Sequence, residues 1–152
     1  MAKLPPESYV ALAAVAWADG RMSKNEAQGL LHAAKTLGLD EVELAVVEKA
    51  TKEKVDLSAF DADKLSSWQR LYTYGIASWL SRLDGVTNAE ELDSLRDLAT
   101  KLGSVDVTDF KLRSAAAVAF DVAMMPEGRR PDRYDFAALE AKLKERLPTI
   151  KE

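Results

Sequence analysis

The chain contains no cysteine. That excludes disulfide scaffolds, thiolate metal sites and cysteine nucleophiles together. It contains one histidine, His32, on an Ala- and Leu-rich stretch that supplies no partner for a proton relay. Basic charge is not in excess: 21 Lys and Arg face 25 Asp and Glu, a net charge of −4. The halves on either side of residue 76 carry −2 each, so neither can grip a phosphate backbone by charge. Nucleic acid is therefore not expected as a partner. Long apolar runs are missing as well. The longest, Val10 to Ala18, falls far short of the ~20 residues that a membrane helix needs, and no span is expected. That run imitates a signal peptide, with Lys3 before it and Ala16-Trp17-Ala18 as an A-x-A site. Pro5, Pro6 and Glu7 stand where a signal carries positive charge, and a similar stretch recurs mid-chain at Ile76 to Gly85. The expected location is cytoplasmic. Nucleophile elbow, P-loop and dinucleotide fingerprints are all absent, and no nucleophile–base pair can be named, so an enzyme is not expected.

What is present is an ordinary globular balance, 47% hydrophobic and 30% charged over 152 residues. One domain, 1–152, is expected, burying about 68–70% of the surface its unfolded chain exposes. Ala and Leu dominate and period-two β-branched runs are missing, which predicts an all-α fold. The first helix starts near Pro6 and runs to Ala18, apolar on nearly every face and hence central. Ser23 with Glu26 makes a capping box for the second, which closes at Gly38. Asp40 with Glu43 opens a third, to about Lys52. The fourth and longest is predicted from about Ala62 to Leu83. Trp68, Tyr72 and Trp79 lie on its apolar stripe as core residues, and Gly75 admits another helix, the Ala-rich first one being the natural partner. Thr87 with Glu90 caps the fifth helix, closed by Gly103. Thr108 or Asp109 opens the sixth, and Asp135 caps the seventh, ending near Leu147.

One pattern occurs twice. An apolar helix ends in Asp19-Gly20, followed by Met22, Ser23 and Glu26 and a helix closing at Gly38. Sixty-five positions on come Asp84-Gly85, then Val86, Thr87, Glu90 and Glu91, with the register slipping by one inside the turn. A degraded third copy lies at Met125 to Arg129. Such a long period reports a duplicated helical hairpin, with repeat halves at about 6–52 and 62–103 and C-terminal helices at about 108–147.

Ala16-Trp17-Ala18-Asp19-Gly20-Arg21-Met22-Ser23-x-x-Glu26 and Leu83-Asp84-Gly85-Val86-Thr87-x-x-Glu90 resemble the tellurite-resistance TerB-like family, over about residues 8 to 127. The resemblance implies a compact seven-helix fold with two pseudo-twofold-related helix–turn–helix halves and no catalytic reaction. It also implies a place in cytoplasmic stress response, and acidic residues that bind a divalent cation. The second copy departs from the pattern in placing Leu83 before Asp84-Gly85.

The residues themselves define what such a site could be. Asp19-Gly20-x5-Glu26 and Asp84-Gly85-x5-Glu91 match the back half of an EF-hand loop. The front half fails: oxygen ligands are required four and two residues before the Asp, where Val15 and Trp17, and Leu80 and Arg82, stand. A self-contained calcium loop is excluded. What remains is a shared site of Asp19, Glu26, Asp84 and Glu91 holding calcium or magnesium, or else carboxylates that only cap turns and helices. If they only cap, the chain is a metal-free adaptor whose exposed helical faces recruit a protein partner. Asp121, alone in an apolar helix, is expected to be exposed or paired. Arg129, Arg130 and Arg133 read as a solvated loop or a dock for an acidic partner.

Overall fold

A computed structural model describes residues 4–83, 88–125 and 130–150. Among them are seven α-helices, two single-turn 3₁₀ helices and no strand. The α-helices are α1 (Pro6–Ala16), α2 (Lys24–Thr36), α3 (Glu41–Lys52), α4 (Ser67–Leu80), α5 (Ala89–Leu102), α6 (Asp109–Ala123) and α7 (Phe136–Arg146).

α1 begins on Pro6, where a missing N–H costs nothing. It is buried on nearly all sides, from Ser8 to Ala16 with Val10 half-buried, and packs against α2, α3, α4 and α5. Its small side chains let four helices approach one axis. Gly20 ends the following turn at φ +88°, left-handed backbone that glycine adopts without strain. Trp17 reaches from the end of α1 to donate its indole N–H to the Ala50 carbonyl at 2.7 Å, which ties α3 to the centre.

α4 is shorter than its sequence pattern predicts. Ala62–Lys64 forms a separate 3₁₀ turn capped by Asp61, and Ser66, in extended backbone, starts α4 through a reciprocal capping box with Gln69. The helix ends at Leu80, which leaves the 15-residue α6 as the longest. Gly75 does admit a neighbour, but the neighbour is α6 rather than α1. A Cβ on Gly75 would lie 3.3 Å from the Ala115 carbonyl oxygen. Ala115 and Ala119 supply the matching small face, and α4 packs more extensively on α6 than on any other helix.

The aromatic stripe is core. Trp79 stacks on Tyr134 with centroids 4.1 Å apart and meets Phe136 edge-on. The Tyr72 hydroxyl donates to the Phe136 carbonyl at 2.9 Å, and Trp68 is buried beside it. These contacts dock the start of α7 onto α4. His32 completes the dock: its Nε2–H donates to the Tyr134 carbonyl at 3.0 Å, and Nδ1 accepts from Thr36. The lone histidine thus makes structural bonds with both ring nitrogens. Asp121 is exposed, 3.7 Å from Arg146.

The starts of α2 and α5 are capped alike. Ser23 caps α2 and Asn88 caps α5, 65 positions apart, and each bonds the backbone N–H of the third helical residue, Glu26 and Glu91. The predicted cap of α5, Thr87 with Glu90, is therefore off by one: Thr87 lies outside the described residues and Asn88 does the capping. With that correction the register does not slip. The copies do differ at their far ends. Gly38 is left-handed at φ +84°, whereas Gly103 leaves α5 in extended backbone at φ −62°. Asp84 and Gly85, and the third copy from Pro126 to Arg129, lie outside the described residues.

Candidate functional site

The N-termini of α2 and α5 converge on an open hollow of about 470 Å³, lined by Asp19, Arg21, Met22, Ser23, Glu26, Asn88 and Glu91. Three of the four sequence-predicted ligands, Asp19, Glu26 and Glu91, therefore share one place. The fourth, Asp84, lies outside the described residues.

Asp19 is exposed on the rim, and both its oxygens are used. Oδ1 accepts the Arg21 backbone N–H at 3.0 Å, the turn-bracing role expected of Asp before Gly. Oδ2 accepts from Asn88 Nδ2 at 2.8 Å, a bond between the two repeats. Asn88 therefore works twice, because its Oδ1 also accepts the Glu91 backbone N–H at 2.8 Å.

The two glutamates form the floor. Glu26 is 5% exposed and Glu91 7%. Glu26 Oε1 accepts the Ser23 backbone N–H at 3.1 Å, closing the capping box. The Asn88 backbone N–H favours the charged form of Glu91, but α5 lacks the reciprocal bond that closes the box on α2. Glu91 Oε2 is buried and receives no hydrogen bond from a donor group among the described residues; its neighbour is the Glu26 carboxyl, with which it bonds when one of the two is protonated. An acceptor left so costs about 1–3 kcal/mol, and more when charged.

Burial pushes the Glu91 carboxyl up to about 8, and the charge and carboxyl of Glu26 push in the same direction. The Asn88 backbone bond opposes this and does not overcome it. At neutral pH the cation-free floor thus favours a proton on Glu91. The helix N-termini contribute roughly half a positive charge each, which favours carboxylates here and weakens the field on any cation.

The chemistry is that of an acceptor-only oxygen site. Its ionisable acids offer oxygen, the ligand type of a hard cation, with Met22 and Asn88 also lining the hollow. Among the described residues no group of three His, Cys, Asp or Glu side chains stands at metal-holding spacing, so Asp19 as placed does not join the glutamates in one ligand set. Sequence reasoning missed Asn88. Its signal was present, since Asn ranks with Ser as a cap and stands 65 positions after Ser23, but Thr87 and Glu90 offered a competing pattern.

No family model, curated protein or solved structure matches the chain. Of the Arg patch, Arg130 lies 3.7 Å from Asp132, and Arg129 lies outside the described residues. Among the described residues no helix is long and apolar enough to cross a membrane.

Proposed function

We propose that the chain is a non-enzymatic module that binds a divalent cation, calcium or magnesium, where its two repeats meet. The buried Glu91 Oε2 beside Glu26 carries this reading. A folded protein gains nothing in stability from such an oxygen, and a hard cation satisfies it directly. Glu26 and Glu91 would hold the ion from the floor, with Asp19 from the rim; Asp84, the fourth ligand expected from the sequence, lies outside the described residues. The carboxyl oxygens suit such an ion and the open hollow leaves room for water ligands, and Asp19 has to move to complete the set. The ion would neutralise the floor and join α2 to α5. The TerB-like sequence pattern supports a setting in cytoplasmic stress response, including tellurite resistance, and two pseudo-twofold-related halves.

A thermal unfolding series tests the reading. Millimolar calcium or magnesium should raise the Tm of the wild type and leave Glu26→Gln/Glu91→Gln unmoved. Glutamine preserves both capping positions, so that variant isolates the charge. Equal rises in both proteins would reject the site.

A second reading rests on α3, where Val42 and Val46, one turn apart, are both exposed. They give the metal-free adaptor a candidate apolar contact for a protein partner. A pull-down insensitive to chelator but lost in Val42→Glu/Val46→Glu would favour it.

A further inference from the structure

α6 buries one face and bares the other. Leu112, Ala115, Val118, Ala119 and Val122 are buried, and the helix packs on α4 and α7. Phe110, Arg113, Ala117, Asp121 and Met124 are all exposed, Phe110 at 75% and Met124 at 69%. At the helical repeat these five fall within about 80° around the axis, opposite the core. Single exposed apolar side chains need no explanation. Here their order does, because it is symmetric. Phe110 and Met124 stand seven positions before and after Ala117, and Arg113 and Asp121 four before and after it.

We infer that the outer face of α6 is a homodimer interface, in which two copies of the chain pair antiparallel about a twofold axis at Ala117. In that arrangement residues equally far before and after Ala117 come level across the axis. Phe110 meets Met124 of the second copy, and Arg113 meets Asp121, each contact occurring twice. Ala117 meets its own copy, with nothing beyond Cβ to hold the helices apart. Parallel pairing would instead set Arg113 on Arg113 and Asp121 on Asp121, and would align the two helix dipoles. Within the chain Arg113 pairs with Asp109, and Asp121 lies 3.7 Å from Arg146. Both pairs are exposed and contribute little, so exchanging them for contacts across the axis costs little. One helix face from each copy buries less than the roughly 1,200–2,000 Å² of a standard interface, so the dimer is weak and forms with concentration. The inference goes beyond the cation reading and does not depend on it.

Sedimentation velocity of the full chain should show monomer passing to dimer between roughly 10 µM and 1 mM, the regime of an interface below standard size. Ala117→Glu sets two carboxylates on the axis and should leave monomer only, with unchanged far-UV circular dichroism. Arg113→Asp should weaken dimerisation about tenfold, since two exposed ion pairs become repulsions. Arg113→Asp/Asp121→Arg should recover most of that loss, which a face built for a different protein would not do. The chain has no cysteine, so Ala117→Cys gives a second reading. Mild oxidation should link it into a covalent dimer faster than it links Glu48→Cys, an exposed position on α3. If Ala117→Glu fails to fold, this cross-link takes its place. A wild type that stays monomeric throughout the range overturns the inference, as does a dimer that persists in a folded Ala117→Glu. A double charge variant no tighter than Arg113→Asp, or Ala117→Cys linking no faster than Glu48→Cys, also overturns it.

Discussion

Glu26 and Glu91 stand 65 residues apart in sequence and at the same third position of α2 and α5. Glu26 is tied back to its cap by the Ser23 backbone N–H, and the Glu26 and Glu91 carboxyls interact between the two helix starts. A third-position glutamate is ordinarily a solvated cap. Here two helix starts face one another, and both caps are buried.

The first prediction follows from Glu91. Its carboxyl titrates near 8 in the folded protein, against the usual value near 4.5. The folded state therefore holds the proton more tightly than the unfolded state. Its contribution to stability is complete below about pH 4.5 and is lost as pH rises towards about 8. Urea midpoints measured in chelator should fall across this window, and Glu91→Gln should flatten that part of the profile.

The second prediction concerns the cost of keeping the site. Glu91→Gln replaces a buried acid by an amide that can donate to Glu26 without carrying charge. It should stabilise the cation-free protein at pH 8 by about 1 kcal/mol, the net worth of one buried hydrogen bond. The same variant should lose its calcium response. Denaturation with and without calcium reads both, and a destabilised variant would mean that the carboxyl is already well satisfied.

The third prediction tests the aromatic dock. Trp79→Ala should cost ~3–5 kcal/mol, the range for emptying a large aromatic site. The residue is 2% exposed and touches both Tyr134 and Phe136. Chemical denaturation checks it, and a loss below about 1 kcal/mol would contradict the packing described.

The fourth prediction weighs two opposed effects at Gly75. Alanine gains up to ~1 kcal/mol in helix propensity. Against this, its Cβ would press on the Ala115 carbonyl at 3.3 Å, and overpacking of a close helix pair costs typically ~1–3 kcal/mol. Backbone cannot rotate aside as a side-chain end can. Gly75→Ala should therefore destabilise by about 1 kcal/mol, measured by urea unfolding.

Much of this architecture was legible because local chemistry and burial agreed. Pro6 and an all-round apolar run specify a central α1, and Ser23 with Glu26 specifies the start of α2. Where two local patterns competed, the sequence misled. Ala62–Lys64 continues the helical composition of α4, yet Ser66 with Gln69 supplies the cap that starts it. Thr87–Glu90 and Asn88–Glu91 both satisfy capping rules, and the second pair reaches the start of α2, through Asn88 to Asp19 and Glu91 to Glu26. The partner of Gly75 was equally hidden: α1 and α6 both offer alanines, and the crossing of α4 with α6 decides between them. Burial of the glutamates was not legible at all, because it arises from how two distant helix starts face each other.

The central claim, that the paired glutamates are there for a cation, is tested most directly by amide NMR during calcium titration. Shifts should cluster at residues 19–26 and 88–91 and saturate with a Kd of ~10⁻⁴–10⁻³ M, the weak range of calcium modules. They should vanish in Glu26→Gln/Glu91→Gln. Shifts spread over the exposed acids, or unchanged in that variant, would contradict the account and leave the two carboxyls as caps alone.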